Sequence, residues 1–321
     1  KPDQTLESSL FVFCDYMDVT RGCFPDGSSN KTWFLPGTPG YTNNSSQSFS
    51  GYLESPSFTA PSGYYNFPVT VNITNPNGPS STVHYTTDGN TPTQDSPLYE
   101  GTPIEISETT VLKAKVFEEG LLPGFEAVGT YFFNVNHSTP VLSVITDNAN
   151  LYGGSGIFDN WWTDWEKAAY IEYFDSTKQL IFSQRAGMQI DGGAGGSRSN
   201  PQHSFRLEPA NGTLGDGVIN YPLIPDRPDR TAYSKFYLRN GSNQYLQLPY
   251  KDAAQVTSMS NGTDNYYSAW RPVTVFINGE YFGLYELREK FDLEFFETYD
   301  DADPDQTTIL SQSYWYGGML R

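Results

Sequence analysis

Positive charge is scarce in this 321-residue chain: 19 Lys and Arg stand against 37 Asp and Glu, for a net charge of −18 and a pI near 4.4. Nucleic-acid binding needs clustered cations that neutralise phosphates, so DNA and RNA are excluded as partners. The chain has no apolar run long enough to span a membrane, no signal peptide and no lipobox. Cysteine occurs only at Cys14 and Cys23, with Gly22 before the second. That hairpin-sized gap suits either a disulfide or two buried thiols, and no metal motif includes the pair. The chain opens on Lys1 rather than Met, in keeping with a processed or trimmed exported form.

A composition of 37% hydrophobic and 17% charged residues excludes disorder, and the length suits two or three domains. The 23 Tyr, 21 Phe and 6 Trp suit β-sheet packing and also surfaces that stack on sugars. Sequons at Asn72, Asn136 and Asn211 are chance products of an Asn- and Ser-rich chain. A Gly, Asn and Ser run near residue 50 reads as a linker, closing a first segment (1–50) with a strand at Leu10 to Cys14 and Pro-Asp-Gly and Pro-Gly turns. Residues 51–136 predict a β-sandwich with strands at Val69–Ile73, Thr82–Thr86, Ile104–Ile106, Thr110–Phe117 and Thr130–Val135. Residues 137–321 predict an α+β region with strands at Ala168–Phe174 and Leu180–Ile190, and a helix over Leu248–Met259 that Gly262 stops.

Within that last region, Val273, Val275 and Ile277 alternate with Thr274, Phe276 and Asn278. Asn278-Gly279 then has the chemistry of a type I′ turn, and Tyr281–Leu287 is the returning strand. Arg288, Glu289, Lys290 and Asp292 break the pattern before a short helix with Leu293, Phe295 and Phe296. Gly192, Gly193, Gly195 and Gly196, followed by Ser197 and Arg198, separate a strand ending at Ile190 from one at Phe205–Leu207. Such a stretch brings backbone amides to phosphates, or is a flexible hairpin tip. Asp300, Asp301, Asp303 and Asp305 lack the central glycine of a calcium loop and have Gln312 in place of a bidentate Glu, so they read as a solvated loop.

The segment AWRPVTVFINGEYFGLYELREKFD (269–292), LRNGSN (238–243), Pro140–Leu142 with Thr146, Asp147, Asn150 and Leu151, the 187–209 block and YPLIPD (221–226) occur in the order of one family. Through them, residues 138–321 resemble the spore-coat protein H (CotH-type) kinase-like family. Through Gly63-Tyr64-Tyr65, YTTDGNTPT (85–93), Tyr99 and VLKAKVF (111–117), residues 55–135 resemble the immunoglobulin-fold chitobiase C-terminal-like modules. These are usually spacers, in which Tyr64 and Tyr65 either bind glycan or pack at edges and corners. The first segment resembles the closing part of a lamin-tail-like module, with too few strands for a whole sandwich.

The resemblances imply a multi-domain, β-rich protein, in which an immunoglobulin-like β-sandwich is followed by an α+β region like the N-terminal part of a kinase-like domain. They imply ATP- and Mg-dependent phosphorylation of a protein substrate at an extracellular or cell-surface location. The glycine stretch then becomes the nucleotide-covering loop. Glu286 to Lys290, Glu289 among them, become the crossing that contacts adenine, and Lys251 or Asp252 completes an ion-pair network. The family's P-x-K-S lysine is replaced here, in Pro201-Gln202-His203-Ser204. A short, mostly neutral histidine is a poor phosphate partner. Arg206 points to the opposite strand face, which leaves Arg198 to compensate. The family's catalytic and metal-binding aspartates lie beyond the hairpin and its helix, so this chain alone is expected to be inactive. The rival reading is a non-catalytic surface module that recognises glycan or protein. A glycoside hydrolase is a poorer fit, because no carboxylate pair can be placed by spacing.

Overall fold

Alternating apolar residues make strands, and strands dominate the computed structural model, which describes residues 18–193, 196–241, 261 and 266–310. The chain divides into two units, Lys1–Val135 and Asn136–Arg321. In the first, β1 (Thr20–Cys23), β2 (Lys31–Phe34) and β3 (Ser48–Phe49) form an antiparallel sheet. The strand expected at Leu10 to Cys14 lies outside the described residues, as does the pairing of Cys14.

The rest of this unit comprises β4 (Ser57–Phe58), β5 (Gly63–Tyr65), β6 (Val69–Val71), β7 (Ile73–Thr74), β8 (Thr82–Thr86), β9 (Ile104–Ile106), β10 (Thr110–Phe117) and β11 (Ala127–Phe133). The main sheet runs β5-β11-β10-β8, and the short pairs β4–β7 and β6–β9 supply the opposing layer. Ile73 packs with Val83, Ala114 and Val116, while Val71 and Ile106 pack with Leu112 and Tyr131, as an immunoglobulin-like sandwich requires. Tyr64 and Tyr65 are edge packing: their rings lie 5.0 Å from Phe132 and 5.8 Å from Tyr131, and the Tyr65 hydroxyl donates to the Pro61 carbonyl at 2.6 Å.

The second unit contains β12 (Val141–Ile145), α1 (Asn148–Leu151), β13 (Glu166–Phe174), β14 (Leu180–Ile190), β15 (Phe205–Glu208), β16 (Ile219–Asn220), β17 (Ala232–Tyr233), β18 (Phe236–Arg239), β19 (Trp270–Ile277), β20 (Glu280–Arg288) and α2 (Leu293–Asp300). Seven of these strands close a barrel in the order β12-β13-β14-β15-β18-β20-β19. Strand directions cannot alternate all the way round an odd number, so one seam must be parallel. That seam is β12 against β19, from Val141↔Thr274 to Val144↔Ile277. The interior is filled: Leu142, Ile171, Met188, Leu207, Leu238, Val275 and Leu287, one from each strand, share a core and are at most 1% exposed.

Over the described residues, the region expected as an α+β lobe is a closed β-barrel with the short helices α1 and α2. The physical reason is that the last hairpin returns to the first strand and leaves no sheet edge for a helix-backed open sheet. The helix expected over Leu248–Met259, with Lys251 and Asp252, lies outside the described residues.

The β19–β20 hairpin turns on Asn278 and Gly279, whose φ values of 51° and 83° are the paired positive angles of a type I′ turn. The Asn278 side chain also holds the seam. The Thr146 amide donates to its Oδ1 at 3.0 Å and its Nδ2 donates to the Thr146 carbonyl at 2.8 Å. After the hairpin, Asp292 caps α2 by accepting from the Phe295 amide at 3.0 Å. Asn278→Ala strands both backbone groups of buried Thr146. It is expected to lower the stability of this unit by about 2 kcal/mol, read from denaturant midpoints.

Candidate functional site

The loop between β14 and β15 is cross-braced. Gly192 has φ +106°, and a Cβ there would lie 2.4 Å from the Ser197 Cβ, so the turn admits no side chain. The Asp191 amide donates to the Ser204 carbonyl, and the Ser204 amide to the Ser197 carbonyl, each at 2.8 Å. Arg198 fastens the loop from outside. It donates to the carbonyls of Gly192 (2.8 Å), Thr163 (3.1 Å) and Trp161 (3.3 Å) and reaches Asp164 Oδ1 at 2.6 Å. Its guanidinium braces the loop, where sequence reasoning had assigned it to phosphate. Gly193 has open space around its Cβ position and Gly196 has φ +154°; Gly195 lies outside the described residues.

Beside this loop lies a cavity of ≈ 200 Å³. Asp191, Gly192, Ser197 and Ser204 line it from the loop, Tyr237 and Arg239 from β18, and Arg288, Glu289 and Lys290 from the end of β20. Tyr237 and Arg239 alternate with the core residues Phe236 and Leu238, which puts the polar side chains that β18 gives the cavity on the outer face of the sheet, and the core residue Leu238 lines it too. Lys290 Nζ is 3.5 Å from Asp191 Oδ1 and 4.7 Å from the centre of the Tyr237 ring. Burial, with Asp191 and Asp292 nearby, pushes the Tyr237 hydroxyl well above the ordinary tyrosine range, so it stays protonated.

Glu289 is the structural anchor of this crossing. Its side chain is fully buried and takes four donors: Arg227 Nε at 3.2 Å, an Arg230 guanidinium nitrogen at 3.0 Å, the Tyr299 hydroxyl at 2.9 Å and the Ala269 amide at 3.1 Å. Burial pulls Arg230 down, but the Glu294 and Glu289 carboxylates more than offset it and hold Arg230 above its usual value. Burial and the Glu289 charge push Tyr299 up to about 12. Sequence reasoning missed Arg227 and Arg230, because no local spacing ties them to a carboxylate some sixty residues on. Glu289→Gln leaves the two guanidiniums short of a buried counter-charge. It is expected to cost about 3 kcal/mol, seen as a drop in thermal midpoint.

His203 is buried, at 6% exposure. Its ring is 4.7 Å from that of Phe158, its own carbonyl accepts from the Tyr285 hydroxyl at 2.7 Å, and its Nδ1 contacts the Arg198 carbonyl. A carbonyl only accepts, so Nδ1 carries the proton in the neutral ring. Burial holds the pKa of His203 below its ordinary 6.5. The unfolded chain therefore binds this proton more readily. The contribution to stability is full above about pH 6.5 and is lost as pH falls through that value toward the folded pKa. In thermal melts from pH 7.5 to 5.5, His203→Asn, which keeps a donor and does not titrate, is expected to lose less stability than the wild type, by up to about 1.4 kcal/mol per pH unit. Arg206 points outward between Glu166 and Glu208, at 3.5 and 3.3 Å.

The fold and this cavity define a β-rich protein, in which a sandwich module precedes a barrel domain with a braced glycine loop. Residues 60–127 match the family model of the chitobiase/beta-hexosaminidase C-terminal domain, and residues 189–313 match that of the CotH kinase protein. These are the two families the sequence motifs resemble, and the second match spans the glycine loop, β18, the hairpin and α2. No curated protein matches the chain. Among the described residues, no helix is long and apolar enough to cross a membrane.

Proposed function

We propose that the barrel is the nucleotide-covering part of a CotH-type kinase-like domain, which serves ATP- and Mg-dependent phosphorylation of a protein substrate outside the cytoplasm or at the cell surface. In this reading the sandwich module is a spacer, and the N-terminal three-stranded sheet is the remnant of a lamin-tail-like module. One observation carries it: the glycine loop and the 288–290 crossing, a hundred residues apart in sequence, line the same cavity. In kinase-like small lobes such segments cover phosphates and contact adenine.

The hydroxyls of Ser197 and Ser204 and the ammonium of Lys290 suit a polyanion, and the lining also carries Arg239 and Arg288. A volume of ≈ 200 Å³ takes one end of a nucleotide and not the whole. Among the described residues no group of three side chains is placed to hold a metal ion, so no step is derived through Mg.

The second reading, a non-catalytic module for glycan or protein, draws on the buried, neutral His203 at the position where the family pattern carries lysine. Calorimetric titration of Mg·ATP into the chain, paired with a phosphate-transfer assay on a protein carrying these 321 residues, separates the two. Saturable Mg·ATP binding is expected. Absence of both binding and transfer, with retention on a glycan array, overturns the kinase reading in favour of the second.

A further inference from the structure

We infer that Lys290 is the phosphate-contacting cation of the cavity, and that it supplies from the end of β20 the charge that position 203 lacks. The inference rests on the nucleotide-pocket reading and names the chemistry of its ligand: a polyphosphate, free or on a nucleotide.

The other cations near the cavity are held. Arg198 is engaged by three carbonyls and Asp164, and Arg206 by Glu166 and Glu208. Arg227 and Arg230 ligate Glu289, and Lys235 lies 3.2 Å from Asp292. Of the three cations that line the cavity, Arg288 is buried with its Nε 3.0 Å from Glu286, and Arg239 is half-buried, with strand register setting its backbone opposite that of Glu286.

Lys290 differs. Its side chain is 54% exposed, and its ammonium meets Asp191 at 3.5 Å, longer than a charge-assisted hydrogen bond. An ion pair of that length and exposure contributes little, so exchanging Asp191 for a phosphate oxygen costs little. The face of Tyr237 lies 4.7 Å from the ammonium, and Ser197 and Ser204 line the same cavity from the loop. Lys290 is thus a compact charge on a flexible stem, beside the loop that would cover the phosphates. Asp191 plays two parts: it holds Lys290 beside the cavity and opposes the charge of an incoming phosphate.

Two substitutions should therefore act in opposite directions. Lys290→Gln alters an exposed side chain, and Asp191→Asn preserves shape while removing the competing charge. The test is calorimetric titration of ATP, tripolyphosphate and adenosine, with Mg, into the wild-type chain and both variants. Lys290→Gln is expected to weaken ATP and tripolyphosphate about tenfold and leave adenosine unchanged. Lys290→Arg should retain most of the affinity, and Asp191→Asn should tighten both phosphate ligands several-fold.

If ATP binds the wild type and Lys290→Gln equally, the inference falls and the nucleotide reading stands. If tripolyphosphate binds in a Lys290-dependent way and ATP binds no tighter, the inference stands as an anion site and the nucleotide reading falls. If none of the three ligands binds the wild type, both fall.

Discussion

The parallel seam between β12 and β19 is the constraint on which the second unit depends. Six of the seven strand pairs in the barrel are antiparallel, and an odd ring can close only if one pair is not. The hairpin that brings β19 back to β12 therefore fixes where β20 lies, and β20 fixes everything after it. Its register on β18 sets Arg288 opposite Tyr237 and Glu286 opposite Arg239, so the chain leaves the sheet beside Tyr237 and next to the β14–β15 loop. Asn278 holds this arrangement at its far end by bonding both backbone groups of Thr146. The cavity is a consequence of closure: without the seam, residues 191 and 290 would have no reason to meet.

Electrostatics then sorts the few cations by the chemistry of their heads. A guanidinium presents five donors in a fixed plane, so it suits sites that must be satisfied from several directions at once. Arg198 meets three carbonyls and a carboxylate, and Arg230 bridges Glu289 and Glu294. With 19 basic residues against 37 acidic ones, internal demand takes most of the positive charge in this region. Lysine, with one compact charge and a long stem, pairs loosely and exchanges partners easily. The loosely paired charge at this cavity is therefore the surface Lys290, while Arg198 and Arg230 are architecture.

Local pattern was legible and long-range pairing was not. Alternation with turn residues located β8, β10 and β14 at their observed bounds, and Asn278-Gly279 announced its turn type, because such signals are carried by neighbouring residues. Closure joins Val141 to Thr274, and nothing in either strand names its partner. Glu289 illustrates the same limit. Its place after a strand end was readable, but its burial depends on Arg227, Arg230 and Tyr299 arriving from two other segments. Arg198 looked like a loop cation facing a ligand, since two of the three carbonyls it binds, those of Trp161 and Thr163, belong to a turn some thirty-five residues earlier.

His203 shows how these levels connect. Strand alternation placed it on the face opposite Arg206, and the structure puts it against Phe158, with Tyr285 bonded to its carbonyl. A lysine there would have to carry its charge into that aromatic contact or bend away from it, and a neutral ring avoids both costs. The histidine also donates to the Arg198 carbonyl, so it braces the residue that fastens the glycine loop. Replacing lysine by histidine thus exchanges a charge for a packing contact at this position. On the proposed nucleotide reading, the cavity's need for a cation is unchanged by that exchange, because its volume, hydroxyls and loop are set by closure and by Gly192. In that reading charge enters from an element that the exchange leaves alone, and the end of β20 is one that closure has already brought to the cavity wall.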